Sequence, residues 1–232
     1  MKIIASVAQV GTVQYDFDRT LNKLRAYVEE AHIEGSQLIV FPEAFIGGYP
    51  KYESFGTVVG IRSAEGRERF KNYYNAAIEL PSPESDQIAA IARGFNIYII
   101  SGIVERDGGT LYCSVGFFSP LEGLVYKRRK LMPTGTERLI WGFGDETTLS
   151  TVSHSFQPRD EDSPPSTRTS KPTVLSAAVC WENMMPLLRC HFYAQNVQIY
   201  TAPTVDARET WTSTMVHIAQ EGRCFVLGAC QV

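Results

Sequence analysis

The 232-residue sequence has no apolar run long enough to cross a bilayer, no polybasic segment and no Asn-x-Ser/Thr acceptor site. Each absence removes a class of function. A membrane span needs about 20 consecutive apolar residues, and none is present. The charge balance, 22 Lys+Arg against 25 Asp+Glu, leaves a net −3 at pH 7. That provides no broad basic field for nucleic acid and nothing to hold an anionic membrane surface. A small neutral or acidic partner fits better, with no nucleic acid and no membrane involved. Paired-cysteine architecture is missing too: Cys113, Cys180, Cys190, Cys224 and Cys230 are odd in number and scattered. They read as thiols in a reducing compartment, hence a cytoplasmic location. No Cys-x-x-Cys or zinc-like spacing occurs, so no metal and no cofactor are implied. Residues 1–9 carry only a short apolar run, stopped by Gln9 before a signal-peptide core is complete, and read as a first strand.

What is present is an ordinary globular composition, 44% hydrophobic and 20% charged, enough for one domain over residues 1–232. Residues 3–9 are β-branched, and residues 16–34 place Leu21, Leu24, Val28 and Ala31 at helical spacing, with Asp16 or Asp18 as the cap. Gly35 ends that helix before residues 37–41, a buried-type strand, completing a β-α-β unit. Helices over 64–77 and 84–93 precede a strand over 96–104. Gly108-Gly109 turns it into strands 111–118 and 123–127, bent at Pro120 and Gly123. Strands near 174–179, 197–201 and 224–230 then alternate with helices near 186–195 and 208–222. The pattern predicts a layered α/β fold, a mixed sheet covered by helices. Residues 155–172, with Pro158, Pro164, Pro165 and Pro172 among Ser, Thr and charges, read as a mobile surface loop, a flexible insertion.

Cys180 follows the apolar run 174–179 and precedes a helix that starts at Pro186, so it occupies a strand-to-helix turn. Such a turn exposes a thiol at the carboxyl end of a sheet, lets backbone N–H groups face a developing anion and lowers the thiol pKa. The commoner role of a cysteine there is a small core residue. Glu43 follows the strand over 37–41 in the same way, behind the rigid Pro42; its bland alternative is a solvated loop carboxylate. Lys130 ends the run Lys127-Arg128-Arg129-Lys130, three of whose charges read as a solvated strand edge. Glu137, taken alone, reads as a surface ion pair with Arg138 or a neighbour.

Together these positions resemble the nitrilase superfamily of carbon–nitrogen hydrolases, in order and in context. Three blocks carry the resemblance: Phe41-Pro42-Glu43 with Gly47-Gly48-Tyr49-Pro50-Lys51; Arg129-Lys130-Leu131-Met132-Pro133 leading to Glu137-Arg138-Leu139-Ile140-Trp141-Gly142; and Cys180-Trp181-Glu182-Asn183 with Met185-Pro186-Leu187. The stretch Ala202-Pro203-Thr204-Val205-Asp206-Ala207-Arg208, with Trp211 and His217 to Gly222, is similar to the true nitrilase branch. The resemblance implies a nitrilase-type α-β-β-α sandwich with mixed sheets, assembling as a homodimer or larger homo-oligomer. It implies Cys180 as nucleophile, Glu43 as general base, Lys130 as cationic stabiliser, Glu137 as a second glutamate and the Trp181 backbone N–H as an oxyanion donor. The implied substrate is a small organic nitrile, converted to a carboxylic acid and ammonia, and no cofactor is needed.

Other readings stay open. A Cys-His hydrolase would use His191 or His217, although a structural histidine is the ordinary role at both. Amidase or cyanide hydratase activity fits the same residues. Nitrilases generally continue with further strands beyond the position of Cys230, so the resemblance implies a chain lacking the usual C-terminal part. A catalytically impaired homologue acting as a binding or assembly partner would follow, with an open sheet edge and poor solubility or self-association.

Overall fold

The computed structural model describes residues 2–157 and 172–232. Two sheets pack back to back. The first has the order β1-β2-β3-β4-β5, built from Ala5–Val7, Leu38–Val40, Tyr98–Asp107, Thr110–Ser119 and Gly123–Arg129. Its first three strands are parallel, and β3-β4-β5 run antiparallel. The second has the order β6-β7-β8-β9, from Val152–His154, Thr173–Ala177, Ile199–Thr204 and Phe225–Cys230. Here only the β6-β7 pair is antiparallel.

Strand alternation sorts the side chains into layers. In β2, Leu38 and Val40 face the second sheet, where they share a core with Ile100, Val115, Leu175, Ala177 and Ile199. The intervening Ile39, with Phe41 beyond it, faces outward onto α1 (Phe17–Ile33) and α3 (Pro83–Phe95), through Leu24, Val28 and Ile88. On the far side, Ala178, Tyr200 and Ala202 meet Leu188, Phe192, Trp211 and Ile218 of α4 (Pro186–Ala194) and α5 (Glu209–Gly222). The remaining helix, α2 (Ala64–Ala76), places Tyr73 in the central core. The expected α-β-β-α sandwich is therefore the observed one. Burying each such branched or aromatic side chain is worth ~1.5–3 kcal/mol, which makes the three apolar layers the main stabilising term.

Local signals explain the boundaries. Asp16 accepts the Arg19 N–H at 2.9 Å and starts α1. Ser82 and Ser85 form a reciprocal capping box behind Pro83, while Asn96 ends α3 in the left-handed conformation. Gly108 at φ 54° makes the two-residue β3-β4 turn between Asp107 and Thr110.

Three expectations need correction. Strand β6 was not foreseen, because three residues of mixed polarity carry too little periodicity. The mobile loop does not start at Ser155: Phe156 is buried against Tyr98 and His154, and Gln37 donates to the Gln157 carbonyl at 2.7 Å. Residues 158–171, the rest of that expected insertion apart from Pro172, lie outside the described residues. Finally, Lys127-Arg128-Arg129 is no solvated edge. Lys127 and Arg129 converge on the buried Glu105, and Arg128 is fully buried against Glu182.

Candidate active site

Four segments end at the same place between the sheets. Glu43 sits just past β2, where Gly102 N–H bonds the Pro42 carbonyl at 3.1 Å and draws the loop onto β3. Lys130 follows β5, its N–H on the Cys113 carbonyl at 2.7 Å and its own carbonyl taking Gly144 N–H at 2.9 Å. Cys180 opens a 3-10 turn, Cys180–Met184, with φ 50°, a conformation that a residue with a Cβ adopts only when its surroundings enforce it. Glu137 lies in a second 3-10 turn, Gly135–Leu139, and accepts the Thr134 N–H at 2.6 Å.

The side chains meet. Lys130 Nζ donates to Glu43 Oε1 at 2.7 Å and to Glu137 Oε2 at 2.8 Å. Glu43, Lys130 and Cys180 are 0%, 1% and 3% exposed, so water does not screen them. Glu137 is buried as well, not the surface ion pair with Arg138 expected from its sequence context, because its carboxylate is needed by Lys130 and by Tyr49, whose Oη donates at 2.8 Å. Trp141 stacks its edge on Tyr49, lies 5.8 Å from the ammonium and donates to Tyr73 Oη. Trp181 is placed differently: its indole is half-exposed and donates to Asp206 at 3.3 Å, while its backbone follows Cys180 in the turn.

Electrostatics follow from that geometry. Burial pushes the Glu43 carboxyl up from its ordinary value, with Lys130 opposing and Glu137 reinforcing. Burial works against the Lys130 ammonium, but the Glu43 and Glu137 carboxylates outweigh it and keep the amine protonated. The Cys180 thiol is pushed up, first by burial and then by Glu43, with Lys130 and a hydrogen bond from Thr204 acting the other way. This corrects the expected lowering by the turn: burial beside a carboxylate outweighs backbone dipoles. The thiol therefore rests protonated, and a base beside it is required for it to react. A carboxylate is within reach of it, since a Cys180 hydrogen bond is among the contacts favouring the ionised form of Glu43.

The sequence missed several groups. Glu182 holds Arg128 in a fully buried pair and accepts N–H bonds from Val179 and Leu131, each at 2.7 Å. Tyr49 and Glu182 stood inside recognised blocks without a role. Thr204 likewise stood inside a recognised block without a role, and Cys113 stood on an apolar strand, where alternation marks only burial. Neither histidine shares the site: His191 bonds the Leu149 carbonyl, and His217 is exposed beside Glu221. Among the described residues, no cluster of three or more His, Cys, Asp or Glu is arranged to hold a metal ion.

Two helix-covered sheets, with thiol, carboxylate and ammonium gathered where their strands end, define the class of hydrolases built on an α-β-β-α sandwich. The carbon-nitrogen hydrolase family profile matches residues 4–232, and the chain belongs to that family. It is 54% identical over 230 residues to the arylacetonitrilase of Trametes versicolor (strain FP-101664), covering 99% of this chain and 70% of that protein. It is 48% identical over 227 residues to a bifunctional nitrilase/nitrile hydratase of Lupinus angustifolius, covering 98% of this chain. The chain spans 60% of that plant protein's length. The fold matches the crystal structure of Saccharomyces cerevisiae Nit3, a member of branch 10 of the nitrilase superfamily, with TM-score 0.73 and 18% identity. That alignment covers 99% of this chain and 75% of the yeast chain.

Proposed function

We propose that the chain is a nitrilase, hydrolysing a small organic nitrile to its carboxylic acid and ammonia. The observation that carries this reading is the buried ammonium of Lys130, bonded to both Glu43 and Glu137 beside the Cys180 thiol. Glu43 takes the thiol proton as sulfur attacks the nitrile carbon, so the C–S bond forms while one C–N π bond breaks. Glu43 passes that proton to the nitrogen to give a thioimidate, the developing charge there being met by Lys130 and by the Trp181 backbone N–H. Glu43 then activates water, which adds to the carbon; ammonia leaves, and a thioester remains. A second water, deprotonated the same way, releases the acid and restores the thiol. Glu137 keeps Lys130 in place and balances its charge.

The test is ammonia release from aromatic, arylacetic and aliphatic nitriles, comparing the chain with Cys180→Ala. Release from the parent alone supports the reading, while equal background from both leaves a binding or assembly role ahead. The arylacetic group belongs first in that panel, because the Trametes versicolor relative bears the name arylacetonitrilase. An amide product also needs measuring, because the lupin relative is named as a bifunctional nitrilase/nitrile hydratase. If the tetrahedral adduct loses sulfur before ammonia, the amide is what leaves.

A homodimer or larger homo-oligomer is part of the same proposal. Leu187 on α4, Val216 on α5 and Phe225 on β9 are exposed apolar side chains that a second copy would cover. A cytoplasmic location is supported by five cysteines that are all unpaired.

A further inference from the structure

The two oxygens of Glu43 are treated unequally. Oε1 accepts from Lys130 Nζ at 2.7 Å and lies 3.6 Å from the Cys113 sulfur, which donates to it. Oε2 is buried without a standard hydrogen bond among the described residues. A glutamate's terminal torsion is soft, so one donor leaves the carboxylate free to rotate and exchange its oxygens. Two donors converging on one oxygen from different strands oppose that exchange.

Cys113 is placed to be the second donor. It stands on β4, buried in the core between the sheets, where its neighbours on the same strand face, Val115 and Phe117, are wholly apolar. Packing alone therefore does not call for sulfur. Its carbonyl holds the Lys130 N–H at 2.7 Å, so one residue touches the base through its side chain and the ammonium-bearing residue through its backbone. A second nucleophile is a poorer reading of this thiol. Cys113 lies in the middle of the extended strand Thr110–Ser119, with no turn or helix start beside it to gather backbone N–H groups around a forming anion.

We propose that Cys113 is a positioning residue for the Glu43 base: its S–H pins Oε1 beside Lys130, leaving Oε2 as the proton acceptor for Cys180. This rests on the assignment of Glu43 as base made above. The groups acting on Glu43 are Lys130 from the end of β5, Glu137 from its 3-10 turn, Cys180 after β7 and Cys113 from β4. Tyr49 and Cys230 act at longer range. Of these only Lys130, Cys113 and Cys180 donate toward the Glu43 carboxylate. Removing one donor favours the acid form, so Glu43 holds its proton to higher pH.

The experiment follows alkylation of Cys180 by iodoacetamide across pH, read by mass spectrometry on the Cys180 peptide, with kcat/KM for a nitrile in parallel. Wild type is compared with Cys113→Ser, Cys113→Ala and Cys113→Val; valine supplies a near-isosteric non-donor should alanine fail to fold. In the alanine and valine variants the acidic limb is expected to move up by about half a pH unit, because a thiol is a weak donor. Serine, a stronger donor at the same place, is expected to return it to the wild-type position or below. Coincident profiles in all four proteins, or a serine shift equal to the alanine shift, would overturn the proposal. A wild type alkylated at Cys180 that releases no ammonia from any nitrile counts against the nitrilase reading instead, and the alkylation profiles still decide the role of Cys113.

Discussion

Arg128 and Glu182 form a bidentate ion pair across the two sheets, both nitrogen–oxygen contacts being 2.6 Å and both side chains fully buried. Arg128, on β5, stands two residues before Lys130, and Glu182 follows Cys180 in its turn. The same carboxylate accepts Leu131 N–H, directly after Lys130, and Val179 N–H, directly before Cys180. One buried group is therefore bonded on both sides of the site, and it ties ammonium and thiol to a common point. Cys180, between Val179 and Glu182, has the left-handed φ of 50°.

Removing that carboxylate is expected to be severe. Glu182→Ala strands a buried guanidinium and leaves two backbone N–H groups without their acceptor, and breaking such a pair costs ~3–5 kcal/mol. Urea unfolding would show the lost midpoint. Replacing both partners with apolar residues, Arg128→Met with Glu182→Leu, is expected to recover part of that stability but not the activity. A single variant with an unchanged midpoint would contradict the clamp.

A methyl group is expected to do comparable damage to catalysis at Gly102. A Cβ there would lie 2.2 Å from the Pro42 carbonyl oxygen and 2.6 Å from both Glu43 Cα and Ala44 N. All three are backbone, so nothing flexible can give way, and the Glu43 loop must lift from β3. Displacing a reacting group by about 1 Å costs roughly 100-fold in rate, against an overpacking penalty of ~1–3 kcal/mol in stability. Gly102→Ala should therefore remain folded by circular dichroism while kcat collapses; a kcat within a factor of about two of the parent would show that the loop tolerates the shift.

The layers were legible in the sequence because their periods are long and regular. Leu24 and Val28 on α1, and the alternation of β2 into Leu38/Val40 and Ile39/Phe41, are direct readings of 3.6- and 2-residue spacing. Glu43, Lys130, Cys180 and Glu137 were legible only through their blocks, since each alone has a more ordinary reading. The charges of 127–129 misled because local sequence shows polarity but not the partner: Glu105 and Glu182 are distant in the chain, and only folding brings them under β5. Cys113 was invisible for the opposite reason. A small polar atom on a buried strand changes no pattern, although it decides a hydrogen bond.

Acid sensitivity is expected to have a contribution from Glu105. Burial raises its pKa, but hydrogen bonds from Arg129, Lys127 and Ser114 together outweigh burial, leaving it below the ordinary value of 4.5. A folded value below the unfolded one means stability that is complete above about pH 4.5 and is lost as pH falls through the folded value. Urea midpoints measured from pH 7 down to pH 3 should fall, and Glu105→Gln should flatten that fall while lowering the midpoint at pH 7. An equally steep decline in the variant would assign the acid loss to other groups.

Lys130 is the group whose loss should be felt by all the others. Without its ammonium, Glu43 and Glu137 become two buried carboxylates with no shared cation, and two like charges at that depth do not both remain ionised. One of them then holds a proton, which removes either the proposed base or its balancing charge. Lys130→Met is close in length and apolar, so it should fold, yet kcat is expected to drop by roughly 10²–10⁴, the range for a lost acid–base or charge-stabilising group. Cys180 alkylation by iodoacetamide should slow at the same pH and partly recover in alkaline buffer, as the shared proton is titrated away. Lys130→Arg is not expected to rescue, because a planar fork cannot take the place of a point charge between two carboxylates. Alkylation in Lys130→Met as fast as in the parent, at every pH, would place the ammonium outside the machinery that activates the thiol.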